Sequence, residues 1–205
     1  MAFLDGAVIT DEGDDGMPEA VFRFPGSHGG HEIPIWPWET VLVAVDAIPG
    51  EIEPDLSGAD WEFKHPGDDN DNPDVPNLIH VGGSDCDIAL ANSGDGLLLA
   101  TGVDTSAAID CSTIVDGVNW GGVLDPVPIS WTDCTDPEFA DGVPQGNCLG
   151  RCPGGIDGNR SSSEDWFMMV PTPDGPNLPS YPSDCSTGIS AEVSWGVLKA
   201  LYRPR

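Results

Sequence analysis

The apolar residues of this chain come in short runs, and turn residues close nearly every run. The runs are AVIT (7–10), AVFRF (20–24), TVLVAVDAI (40–48), CDIALA (86–91), GLLLAT (96–101), AAIDC (107–111), TIVDGVNW (113–120), WFMMV (166–170) and ISAEVSWGVL (189–198). Each has the length of a strand, several are rich in β-branched residues, and Gly, Pro, Asn and Asp punctuate them. Over 190–203, the segment that most invites a helix, Val193, Leu198 and Leu201 fit helical spacing poorly and Gly196 weakens it, so a strand is expected. Strands separated by turns, with no amphipathic helices between them, predict an all-β fold, an antiparallel sandwich or barrel. In 40–48, Val41, Val43 and Val45 alternate with Leu42 and Ala44. Both faces of that strand are apolar, which places it centrally in its sheet. ANSGDG, between Leu90 and Leu97, reads as the turn of a β-hairpin.

A chain of 205 residues suits one domain with long loops and can bury a core without metals or cross-links. Gly 26 and Pro 20 make up more than a fifth of it, which approaches disordered composition, but seven Trp and the apolar runs argue for a folded body. The punctuation concentrates in 49–80, which is acidic and Pro/Gly-rich, and in 121–165, which carries three cysteines. Loops of that length are uncommon unless they are functional, disordered or tied down.

Seven Lys and Arg stand against 35 Asp and Glu, a formal net charge of −28. Such a surface repels nucleic acid and anionic lipid and attracts cations and basic partners. Adaptation to high salt produces the same excess of acid. No apolar run reaches the 18 residues of a membrane-spanning helix. Cys86, Cys111, Cys134, Cys148, Cys152 and Cys185 are even in number, contain no Cys-x-x-Cys pair and do not sit at zinc-finger spacing from His28, His31, His65 or His80. They are read as disulfide candidates of an oxidising compartment, with fifteen pairings open and one bridge expected within the region of Cys134, Cys148 and Cys152. The N-terminal residues MAFLDGAVITDEGDDG have neither the basic nor the apolar region of a signal peptide.

ALANSGDGLLLATGVDTSAAID, IVDGVNWGG and SSSEDWFMMVPTPDGPN follow one another in an order that resembles the lamin-tail domain, an immunoglobulin-like β-sandwich. The matching positions are Leu90, Asn92, Gly94, Asp95, Val115, Asp116, Trp166, Thr172, Pro173 and Asn177, with Asp174 inserted in the last turn. FLDGAVIT, IPIWPWETVLVAVDAI, DLSGADWEF and DNPDVPNL are similar in style to a family of unknown function in bacterial surface and secreted proteins. The resemblance implies a sandwich over 1–180 held by disulfide-tied loops, with 181–205 as an extension packing on the same domain as a strand. It also implies that a strand and an export signal precede this start, and that a sheet edge is open or filled by another chain.

Within HPGDDNDNPDVPN, Asp68, Asn70 and Asn72 alternate as in an EF-hand, but Pro73 replaces the required Gly and Ile79 the final Glu. Two readings remain. Either Asp68, Asp69, Asn70, Asp71, Asn72 and Asp74 form an irregular Ca²⁺ site, calcium being the one cofactor on offer, or the stretch is a solvated turn fixed by Asx-turns and its prolines. Trp36 and Trp38 flank Pro37 and, on a strand, share one side, as core or as a platform for a sugar or an apolar partner. The serines of GNRSSSEDW lack a nucleophile elbow, His28 and His31 lack an obvious third ligand, and two carboxylates can always be found among 35. The expectation is a non-enzymatic extracellular binding, adhesion or accessory module of an exported bacterial protein, recognising protein or carbohydrate at a cell surface. A structural subunit that self-associates by strand addition is the alternative, and a hydrolase the third reading.

Overall fold

The computed structural model describes residues 2–12, 18–26, 34–35, 41–45, 47, 56, 58–63, 72–83, 88, 90, 93–101, 109, 112–121, 139–140, 142–144, 146–151, 166–169, 171 and 198–201. Every regular element among them is a strand, so the fold is all-β. In chain order these are β1 (Ala2–Phe3), β2 (Val8–Glu12), β3 (Pro18–Arg23), β4 (Pro34–Ile35), β5 (Val41–Ala44), β6 (Trp61–Glu62) and β7 (Ile79–Gly82). After them come β8 (Asp95–Ala100), β9 (Ile114–Trp120), β10 (Phe139–Ala140), β11 (Cys148–Arg151), β12 (Trp166–Met169) and β13 (Leu198–Leu201).

The largest sheet has six strands in the order β10-β9-β8-β2-β3-β7. It is antiparallel apart from β10, which runs parallel to β9. β1 pairs with β4 and β11 with β12, both antiparallel. The fourth sheet departs from expectation: β13-β5-β6 is parallel throughout. The cause is legible in β5, where Val43 joins one core cluster while Leu42 and Ala44 join another. A strand apolar on both faces is suited to a parallel sheet covered on both sides, and β5 takes the central place predicted for it.

The hairpin expected around ANSGDG is not formed. Along Leu97–Ala100, β8 is bonded to β2 on one edge and to β9 on the other, which leaves no edge there for 86–91. Ile88 and Leu90 are nonetheless buried in the main core. The apolar spacing was real, and the pairing partner was a different one.

The main core joins Ile9, Phe22, Leu97, Val118 and Trp120 of the six-stranded sheet to Val43 and Trp61 of the parallel one, with Phe63 and Leu78 beside them. Phe22 meets Phe63 edge to face at 5.2 Å, and Phe24 meets Trp61 at 5.8 Å. Each such pair contributes about 0.5–1.5 kcal/mol beyond the area it buries. Val8, Val21, Leu98 and Ala100, on the opposite face of the large sheet, form a second buried cluster with Ile109. Leu42, Ala44, Ala47, Leu56, Ala59 and Val75 form a third.

β2 and β3 fall out of register between Thr10 and Glu12, where Glu12 lies opposite Pro18, a residue with no N–H to donate. At this irregularity the buried Asp11 Oδ1 accepts the Ala20 N–H at 2.8 Å, so a side chain stands in for a ladder bond. Asp11→Ala is expected to cost about 1–3 kcal/mol, the penalty for stranding a buried donor, read as a lower denaturant midpoint at unchanged slope. A midpoint within about 0.5 kcal/mol of the parent would show that the bulge is held by something else.

Candidate functional site

DWEF is a strand sequence with an acid in its middle. Trp61 and Phe63 turn into the main core, so Glu62 faces the other way, where an acid would ordinarily meet water. Instead Glu62 is fully buried. Its Oε2 accepts the Ala47 N–H at 3.3 Å and its Oε1 accepts the Asn72 N–H at 3.0 Å. The Glu62 backbone adds two more ties, donating to Pro76 O at 3.1 Å and accepting from Leu78 N–H at 2.9 Å. One residue of a two-residue strand thus holds the end of the β5 segment and the 72–78 turn together.

Asn72 completes the junction. Its Nδ2 donates to Ala47 O at 2.9 Å, its Oδ1 accepts the Asp74 N–H at 3.0 Å, and its carbonyl accepts the Val75 N–H at 3.0 Å. This is an Asx-turn inside a β-turn, with Pro73 at the position whose φ it presets. Val75 drops into the third cluster while Pro73 and Asp74 stay exposed. At the other end of β6, the Asp60 N–H donates to Leu42 O at 2.9 Å and Asp60 Oδ2 accepts the Leu42 N–H at 2.9 Å, extending the parallel pairing by a side chain. What the arrangement can do is present a short, preformed turn on a sheet.

Of the six residues offered to calcium, Asn72 and Asp74 are described and Asp68, Asp69, Asn70 and Asp71 lie outside the described residues. The Asn72 carboxamide is engaged on backbone at both its atoms, Oδ1 closing the Asx-turn and Nδ2 reaching Ala47. Trp36 and Trp38 lie outside the described residues, as do His28, His31, His65 and the serines of GNRSSSEDW. His80 is half-buried, its ring 5.3 Å from that of Phe22. Cys148 is a thiol whose Sγ donates to Met169 O at 3.6 Å, across the β11–β12 pair. Cys148 also leans on the third apolar cluster, and Cys134 and Cys152, the other members of the expected staple, lie outside the described residues. Cys86, Cys111, Cys134, Cys152 and Cys185 lie outside the described residues.

Among the positions carrying the lamin-tail resemblance, Leu90 is buried in the main core and Trp166 packs against it. Gly94 and Asp95 lead into β8, where Asp95 Oδ1 accepts the Gly96 N–H at 2.7 Å. Asp116, in β9, accepts the Gly117 N–H at 2.8 Å through Oδ1. Val115 is the extra residue where Leu99 faces Asp116 but Ala100 faces Ile114, and it is exposed. Asn92, Thr172, Pro173 and Asn177 lie outside the described residues. Sequence reasoning missed Glu62 and Asp11. A signal existed for the first, an acid between two core aromatics, but it becomes decisive only once the N–H groups of Ala47 and Asn72 are seen to converge on it.

No protein-family profile matches the chain, and no curated protein does. Among solved structures it is similar to a DUF4876 family protein from Bacteroides thetaiotaomicron, with a TM-score of 0.58 at 14% sequence identity. The likeness covers 88% of this chain and 66% of that one, so the chain spans about two thirds of its neighbour's length. At this identity the shared property is the fold.

Proposed function

We propose that the chain is a non-enzymatic recognition or accessory module of an exported bacterial protein, built as an immunoglobulin-like β-sandwich of the lamin-tail type. The observation that carries the reading is the turn at 72–75, exposed at Pro73 and Asp74 and fixed from beneath by Glu62 and Asn72. Loops held by a rigid scaffold are where binding residues concentrate. The main core, shared between the six-stranded and parallel sheets, supports the sandwich. The ligand class is a surface protein or carbohydrate, met by this turn and by Trp36 and Trp38.

The test is binding of the purified chain to a glycan array and to an array of cell-surface proteins, repeated with Asp74→Ala and with Trp36→Ala/Trp38→Ala. Specific binding lost in either variant at unchanged thermal midpoint supports the module. Turnover of ester, phosphate or glycoside substrates by the same preparation would replace it with an enzyme. In the same experiments, 1 mM CaCl₂ is expected to leave the thermal midpoint unchanged, because Asn72 is committed to backbone. A rise of several degrees, lost in Asp69→Asn/Asp71→Asn, would make 65–77 a calcium site after all.

A second reading has its own observation. Among the described residues β7 is the last strand of the six-stranded sheet, and it carries Ile79, 42% exposed. Strand addition there would make the chain a subunit of an assembly. Sedimentation across a hundredfold range of concentration decides it: self-association abolished by Ile79→Lys favours the subunit, and a monomer throughout removes it.

A further inference from the structure

We infer that folding of this domain is coupled to the salinity of its medium, so that screening by dissolved cations is part of what keeps the chain folded. The inference goes beyond the recognition role and does not rest on it. With 35 acidic and 7 basic side chains, pairing every Lys and Arg with a different carboxylate still leaves 28 carboxylates without a cationic side chain. The structure shows how the two buried acids in the described core are accommodated: Asp11 accepts the N–H of Ala20, and Glu62 those of Ala47 and Asn72. Backbone N–H groups satisfy a carboxylate's hydrogen bonds but carry no net charge, so these bonds leave the imbalance where it was.

Folding then concentrates it. DEGDD (11–15), EIEPD (51–55) and DDNDNPD (68–74) are spaced along the chain. Asp11 lies in β2 and Glu62 in β6, strands of two sheets that share the main core, and Asp74 stands on the turn that Glu62 holds. Drawing like charges from an expanded chain into a compact one raises their mutual repulsion, and salt lowers it. The screening distance falls from roughly 30 Å at 0.01 M to about 3 Å at 1 M. Repulsion across a domain is therefore felt in dilute buffer and removed in brine, and the folded state gains more from salt than the unfolded one does.

The experiment is calorimetric unfolding of the full chain at 0.05, 0.2 and 1 M NaCl, repeated with tetramethylammonium chloride and with sucrose at matched osmolality. The midpoint is expected to rise by about 10 °C or more across the NaCl series. Tetramethylammonium chloride should act alike and sucrose far less. A chain unfolded at 0.05 M that folds on adding either salt is the same result at its limit. A flat or falling midpoint overturns the inference, and so does an equal rise in sucrose, which would mean general exclusion of solute from the protein surface. The quadruple variant Asp14→Lys, Asp15→Lys, Glu51→Lys, Glu53→Lys moves the formal charge from −28 to −20. It should melt higher than the parent at 0.05 M and depend less on salt; an unchanged salt dependence would also overturn the inference. Binding to the arrays above is read separately, so the recognition role stands or falls on its own.

Discussion

Replacing Glu62 with Ala is expected to lower folding stability by about 3–5 kcal/mol, the larger of the single-residue effects considered for this protein. The carboxylate is fully buried and accepts two backbone N–H groups from segments 15 and 10 residues away. Each N–H left without an acceptor costs about 1–3 kcal/mol, and the emptied volume adds to that. Glu62→Gln keeps the shape and one acceptor oxygen but turns an NH₂ towards a backbone donor, so about half of the loss is expected. Chemical denaturation supplies the measurement, since the midpoint falls while the slope holds if the native state is otherwise intact. Asn72→Ala should be less than additive with Glu62→Ala, because the two residues hold the same Ala47 and the same turn. Simple additivity would mean that the junction is two independent contacts. Near-neutrality of Glu62→Gln would mean that the carboxylate is dispensable to the turn.

The second large effect is expected at Gly121. This glycine follows β9 with φ +85°, in the left-handed region, and the position of an added Cβ falls on the Ser93 carbonyl and Gly94 Cα. Left-handed backbone costs a non-glycine residue roughly 1–2 kcal/mol, and an intrusion on backbone cannot be relieved by a change of rotamer. Gly121→Ala should therefore cost about 2–5 kcal/mol in all. Gly6 has φ +70° with open space where its Cβ would be, so Gly6→Ala isolates the conformational part. If the two variants lose equal stability, the close approach to 93–94 contributes nothing, and the packing of the two turns is looser than the structure shows.

The Gly121 contact also connects two sequence landmarks. Asp95 lies opposite Trp120, so the turns NSGDG and NWGG sit at the same end of the β8–β9 pair. Their order in the chain was readable, but their contact was not, because a motif records neighbours along the backbone and this contact spans 25 residues or more. Cys148 teaches the same lesson from the other side. It shares a region of the chain with Cys134 and Cys152, but only the strand pairing shows that its Sγ donates to the Met169 carbonyl of the neighbouring strand.

Local rules alone determined a good deal of this protein. Strands β2, β3, β5, β8, β9 and β12 lie on apolar runs legible in the chain, and β5 is central because both of its faces are apolar. Asn72-Pro73 forms the turn that an Asx residue before proline favours. These features depend on residues within a few positions of one another, which is the range over which side-chain periodicity and turn chemistry act. Only the tertiary structure decided that β8 pairs with β2 and not with 86–91, that β13, β5 and β6 run parallel, and that Glu62 and Asp11 are internal. A strand's apolar pattern says that it must be covered but does not name its neighbour. Likewise an acid is buried only where distant backbone N–H groups converge to replace the water it gives up.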